Sequence, residues 1–179
     1  IRKDCLYCDA VTDPKRMAYR TVLDILFHAL VRYAAPVLVF TSEEVWQNRF
    51  RPDAESVHFS DWPEFTGVLD TDLADKWVQL RELRSSVTEA IEPMRREKIV
   101  GSSLQVEVSV PDIDAILSNY RDDDLAELFI TSTAKPVAGL SSPEIRPTTN
   151  HKCGRCWRHL PEVVEDGALC ARCESVVNV

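Results

Sequence analysis

Residues 13–35 read DPKRMAYRTVLDILFHALVRYAA, and this stretch decides the fold class. Asp13 followed by Pro14 is a helix start, the aspartate as N-cap and the proline at the first helical position. Tyr19, Val22, Leu23, Leu26, Leu30 and Tyr33 then recur at three- and four-residue spacing, which predicts one helix over 14–35. Ile25, Phe27, Ala29, Val31 and Ala34 fill the flanks of that stripe, so burial on more than one side by neighbouring helices is expected. The apolar run from Val22 to Phe40 is broken by Asp24, His28, Arg32 and Pro36, which excludes a membrane span.

Working outward, Pro36 ends or kinks the helix. Thr41-Ser42-Glu43-Glu44 has the pattern of a capping box and predicts a second helix over 42–50. Residues 51–66 carry prolines, serines and Asp61 ahead of Gly67, a loop with one short extended piece at Val57–Phe59. Leu73, Trp77, Leu80, Arg84, Val87, Ile91 and Met94 give a third helix over 71–98, with Gly101 as its terminator. Two long helices and a short one suggest a bundle. The period then falls to two, since Leu104, Val106, Val108 and Val110 alternate with polar residues and predict a half-buried strand. Residues 112–129 are expected to be helical, 130–138 extended and 141–149 a linker. The expected class is mainly α with a smaller α+β part.

At 179 residues the chain can bury a core without disulfides, and 45% hydrophobic with 28% charged residues is an ordinary globular balance. The net charge of −8 argues against a polyanion partner, yet the acid is concentrated. Segments 37–75 and 99–150 carry −7 and −5, whereas 1–36 and 76–98 carry +2 each and 151–179 is neutral. A local anion-binding face therefore survives. The chain starts at Ile1, and Ile1–Cys5 has no apolar signal-peptide core, so a piece of a larger protein is expected.

Cys153-Gly154-Arg155-Cys156 and Cys170-Ala171-Arg172-Cys173 are the strongest motif. Each two-residue gap lets both sulfurs of a tight turn face one ion, and the loop between the pairs lets the second turn fold over the first. Four thiolates complete a tetrahedral shell and leave no position for water, so one structural zinc per chain is expected. Disulfides or a rubredoxin-like iron site are the alternatives. Cys5 and Cys8 form a third pair with no partner pair close in sequence, and are read as two reduced thiols.

Around the knuckle, Lys152, Arg155, Arg158 and Arg172 accompany Trp157, which follows a ligand directly. An exposed tryptophan flanked by arginines suits stacking on an unpaired base; a tryptophan packed over the small metal module is the competing reading. On the third helix Arg81, Arg84, Arg95, Arg96 and Lys98 fit either a phosphate-facing stripe or a solvated face, with Arg84 and Arg95 nearly three turns apart on one side. The glycines at 67, 101, 139, 154 and 167 cannot form a P-loop or a G-x-G-x-x-G turn, and the four histidines lack a catalytic context, so no catalytic site is expected.

Several runs together resemble the C-terminal part of bacterial isoleucyl-tRNA synthetases: Lys3-Asp4-x-Leu6-Tyr7, Ala35-Pro36-Val37-Leu38-x-Phe40-Thr41-x-Glu43-Glu44-Val45-Trp46, Asp61-Trp62-Pro63, Val100-Gly101-x-Ser103-Leu104 and the two Cys-x-Arg-Cys pairs. The segment around Trp46 is shared with the valine and leucine enzymes, while the terminal Arg-Cys-Trp knuckle points to isoleucine. The resemblance implies a helical anticodon-binding domain over 1–100, a small α/β junction over 101–150 and a zinc-binding tail over 151–179. It further implies a cytoplasmic, monomeric partner of the isoleucine tRNA anticodon stem-loop, attached to the remainder of a parent synthetase and not to a membrane. That family's His-Ile-Gly-His and Lys-Met-Ser-Lys-Ser signatures are absent, so this chain is expected to read RNA for an ATP-dependent ligase without performing its chemistry. A zinc-ribbon module that binds protein and a thiol redox protein are the rival readings.

Overall fold

The computed structural model describes residues 3–51, 54–65, 70–113, 117, 120 and 122–177. They form two compact units, one made of residues 1–10 with 71–179 and one of residues 11–70. Among the described residues no helix is long and apolar enough to cross a membrane.

The unit of 11–70 is built on α2 (Pro14–Ala34) and α3 (Val39–Phe50). Asp13 caps α2 as expected, its carboxylate accepting from the amides of Lys15 at 2.8 Å and Arg16 at 3.3 Å. The apolar stripe does not form the core. Val22, Leu23, Leu26, Leu30 and Tyr33 remain exposed, and the flank carrying Phe27, Val31 and Ala35 packs against Trp46, Phe50 and Val57. Helix α3 starts three residues before the expected position. The turn that follows α2 carries directly into it, with Leu38 donating to Ala34 O and Ser42 to Leu38 O, so Thr41 is already helical and forms no capping box.

The Glu43 carboxylate instead reaches across to Ser56 Oγ at 2.7 Å and the Val57 amide at 3.1 Å. Trp46 Nε1 donates to Glu55 O and Gln47 Nε2 to Ala54 O, so this face of α3 clamps residues 54–57. Val57–Phe59 is a 3-10 turn and not extended, because Ser56 Oγ accepts from the His58 amide and starts the turn. The Asp61-Trp62-Pro63 turn leans on α2, with the Trp62 ring 5.1 Å from that of Tyr33 and Arg32 donating to Asp61 O.

In the other unit, α1 (Lys3–Cys8) precedes α4 (Thr71–Arg96). Leu80, Leu83, Val87 and Ile91 are the buried stripe of α4, while Leu73 and Trp77 stay outside it. Strand β1 (Val106–Pro111) runs parallel to β2 (Thr133–Val137), with Val108 opposite Ala134. The crossover between them contains α5 (Asp122–Phe129); residues 114–116, 118, 119 and 121 of the expected 112–129 helix lie outside the described set. Strand β3 (Glu144–Pro147) lies antiparallel on the other side of β1, so the expected 141–149 linker contains an edge strand. Pro147 is tolerated there because an edge position at a strand end needs no further donor. The core joins α4, Val100, the three β1 valines, Leu117, α5 and Ala134. The tail carries the hairpin β4 (His151–Lys152) and β5 (His159–Leu160), followed by α6 (Ala171–Val177).

Candidate metal centre and nucleic-acid face

The hairpin β4–β5 turns through the first cysteine pair. Cys153 donates its amide to Arg158 O at 2.9 Å and Trp157 donates to Cys153 O at 3.0 Å, which closes the turn tightly enough to aim both sulfurs inward. The loop before α6 folds over this turn, with Gly154 donating to Ala168 O and Gly167 to Lys152 O. Cys170 immediately precedes α6 and Cys173 lies in its first turn. All four cysteines are buried, and their sulfurs lie within 4.8 Å of one another.

A zinc–sulfur bond of about 2.3 Å in tetrahedral geometry separates its sulfurs by about 3.8 Å. Cys156 Sγ and Cys170 Sγ stand 3.8 Å apart, so the residues present fit the ion. Every cysteine of the chain is free, which removes the disulfide reading. The electrostatics point the same way. Burial pushes Cys156 and Cys173 up to about 11 and raises Cys170, with neighbouring sulfurs adding to each rise. Burial also opposes ionisation of Cys153, but the amides of Cys156, Cys170 and Arg155 outweigh it and bring that thiol down to about 6. Four sulfurs this close cannot all ionise without a cation among them.

Trp157 is 61% exposed, so it does not pack over the metal module. Its backbone sits at φ 65°, in the left-handed region that a tryptophan rarely occupies. Lys152 Nζ lies 5.3 Å from its ring centroid. The arginines are used differently. Arg155 donates to Cys8 O at 2.6 Å and Tyr7 O at 2.9 Å. Arg158 pairs with Asp123 at 3.1 Å, and Arg172 with Asp4 at 3.1 Å and Asp9 at 3.0 Å. On α4, Arg84 Nε donates to Leu128 O at 3.0 Å, tying α4 to the end of α5, and Arg95 pairs with Glu92. The structure thus brings Lys152 and Trp157 together at the surface and turns the knuckle arginines toward protein groups.

Cys5 and Cys8 are buried outside the four-sulfur cluster, although Cys8 packs directly against it. Burial, then the charge of Asp4 and a hydrogen bond to Asp9, push the Cys5 thiol up to about 12, an inert thiol. Sequence spacing hid this proximity, and it also missed Asp4 and Asp9 as partners of the knuckle. The one available signal was the arginine repeated at the same place in both cysteine pairs.

Residues 150–176 match the family described as a zinc finger found in FPG and IleRS, which with the sulfur geometry supports a structural zinc. The isoleucine–tRNA ligase of Zymomonas mobilis is 57% identical over 99% of this chain and 20% of its own length. The isoleucine–tRNA ligases of Gluconobacter oxydans and Agrobacterium fabrum are 43% and 40% identical, over 99% and 93% of this chain and 19% of each relative. The chain spans about a fifth of the length of these relatives. Residues 1–110 match the anticodon-binding domain of tRNA ligases, and the chain belongs to that family.

Proposed function

We propose that this chain is the anticodon-end recognition part of an isoleucine–tRNA ligase. In this reading Cys153, Cys156, Cys170 and Cys173 hold one zinc, which supplies no chemistry to a substrate and fixes the two turns of the tail. Trp157 then stacks on an unpaired base of the anticodon stem-loop. An indole has two faces, so a base can take the one Lys152 leaves open while the ammonium neutralises a nearby phosphate. Arg155, Arg158 and Arg172 are assigned to holding the module and Arg84 to joining α4 to α5, and Arg95, exposed beside Glu92, is left to reach the backbone. The partner is the isoleucine tRNA, met in the cytoplasm by a single copy of the parent synthetase. Attachment of isoleucine would occur elsewhere in that enzyme.

The observation that carries the reading is the exposed, left-handed Trp157 beside Lys152, within a chain of the anticodon-binding family. Backbone strain of this kind clusters at binding and active sites. Titrating an isoleucine anticodon stem-loop into the zinc-loaded chain tests it. Losing one base–aromatic stack costs about 1–3 kcal/mol, so Trp157→Ala should weaken binding by about 5- to 150-fold with zinc content unchanged. Unaltered affinity in the zinc-loaded variant would remove Trp157 from the RNA face.

A further inference from the structure

Both cysteine pairs carry an arginine just before their second ligand, and both arginines point at α1. Arg155 spreads its guanidinium over the carbonyls of Tyr7 and Cys8, at 2.9 and 2.6 Å. These lie in the last turn of α1, where helical carbonyls have no partner within the helix. Arg172 spans the same helix, bonding Asp4 Oδ2 at 3.1 Å near its start and Asp9 Oδ1 at 3.0 Å just past its end. Cys8 buries its side chain against the sulfur cluster and points its Sγ at Arg155 O, 3.8 Å away. Some 150 residues of chain separate the two sides of this contact.

A six-residue helix does not persist alone in water. The order of α1 must come from what it docks on, and much of that surface consists of the two turns whose shape the metal would set. We propose that the zinc module is a clasp: Arg155 and Arg172 are positioning residues that make the docking of residues 3–9 depend on the metal. This rests on the zinc reading above. The clasp joins residues 1–10 to the rest of their own unit, residues 71–179.

Coupling of this kind is reciprocal, since whatever factor zinc adds to α1 docking, α1 docking adds to zinc affinity. The test uses the full chain, loaded with zinc or stripped by a chelator, with metal content, hydrogen exchange and alkylation read on the same samples. Stripping should raise exchange at the amides of residues 3–9, and alkylation of Cys5 and Cys8, on the order of tenfold or more, while α4 and β1 keep their protection. Asp4→Asn, which changes only the α1 side, and Arg155→Lys, which cannot span both carbonyls, should each still load one zinc. Both should speed exchange in residues 3–9 and weaken zinc in chelator competition by a matching factor. Protection of residues 3–9 that survives stripping would overturn the clasp, as would loss of protection throughout the 71–177 region at once, or faster exchange in Asp4→Asn with zinc affinity unchanged. A chain that never loads zinc would instead sink the underlying metal reading, and the metal analysis distinguishes that failure.

Discussion

A Cβ built on Gly154 would lie 2.5 Å from the carbonyl oxygen of Gly167, which belongs to the loop that folds over the first cysteine turn. The obstruction is backbone on both sides, and the bonds from Gly154 to Ala168 O and from Gly167 to Lys152 O hold the two segments at that distance. Gly154→Ala must therefore push the loop away and move Cys170 relative to Cys153. Overpacking of this kind costs about 1–3 kcal/mol, so zinc affinity should fall by about 5- to 150-fold in competition with a chromophoric chelator. Gly167→Ala meets no atom within 4 Å but sits at φ 97°, and should weaken the site through backbone strain alone. Unchanged zinc affinity in Gly154→Ala would mean that the two turns are not held as described.

Trp157 offers a test in which stability and recognition move in opposite directions. A glycine at φ 65° relieves a left-handed backbone worth about 1–2 kcal/mol, less about 0.4–1 kcal/mol for the greater freedom of the unfolded chain. Trp157→Gly should thus hold zinc at least as tightly as the native chain while binding the anticodon stem-loop more weakly. Chelator competition and stem-loop titration on the same protein read the two effects. A variant that loses zinc would show the indole to be part of the metal module.

The cysteine cluster was legible because its geometry is local: two-residue gaps fix the sulfurs of each turn whatever surrounds them. The cap at Asp13 and the valines of β1 were legible for the same reason. What could not be read depends on partners distant in the chain. Leu23, Leu26 and Leu30 announce an apolar face, but periodicity does not say what covers it, and here the Phe27–Val31 flank packs instead. Arg84 stands on the α4 stripe in a position that suits a phosphate, yet its partner is the Leu128 carbonyl, 44 residues away. Arg155 and Arg172 resembled anion-binding residues because Tyr7, Cys8, Asp4 and Asp9 lie at the far end of the sequence.

Glu43 makes the clamp in residues 11–70 sensitive to acid. Hydrogen bonds from Ser56 and then Gln47 outweigh the opposing effect of burial and, with a smaller contribution from the Val57 amide, hold its carboxyl below the ordinary 4.5. A depressed value in the folded state means that the clamp contributes fully above the unfolded value and is lost as pH falls through the folded one. Glu43→Gln should lower the thermal midpoint at neutral pH. Its deficit should shrink as the pH falls below the ordinary 4.5 and through the depressed folded value, where the native carboxyl also becomes protonated. A deficit that stays constant through that acid range would show that Glu43 does not hold residues 56–57 through its charge.

The end of α4 provides the last prediction. Ile99 donates to Met94 O at 2.9 Å and Lys98 to Arg95 O at 3.1 Å, the paired bonds of a Schellman motif, and Lys98 occupies the left-handed position at φ 58°. The helix therefore ends at Arg96, and its left-handed cap falls on Lys98, three residues before Gly101, the terminator read from sequence, on a residue with a Cβ penalty. Lys98 is exposed, so a substitution there removes little packing. Lys98→Gly gains about 1–2 kcal/mol from the relieved backbone and gives back about 0.4–1 kcal/mol through the unfolded state, a net stabilisation of up to about 1.6 kcal/mol. In urea the midpoint should rise without a change in slope, since the surface exposed on unfolding is the same. Lys98→Ala removes the same charge and keeps the strained φ, so it should show no such gain. Equal stabilisation by alanine and glycine would assign the effect to charge on the α4 surface and not to the cap.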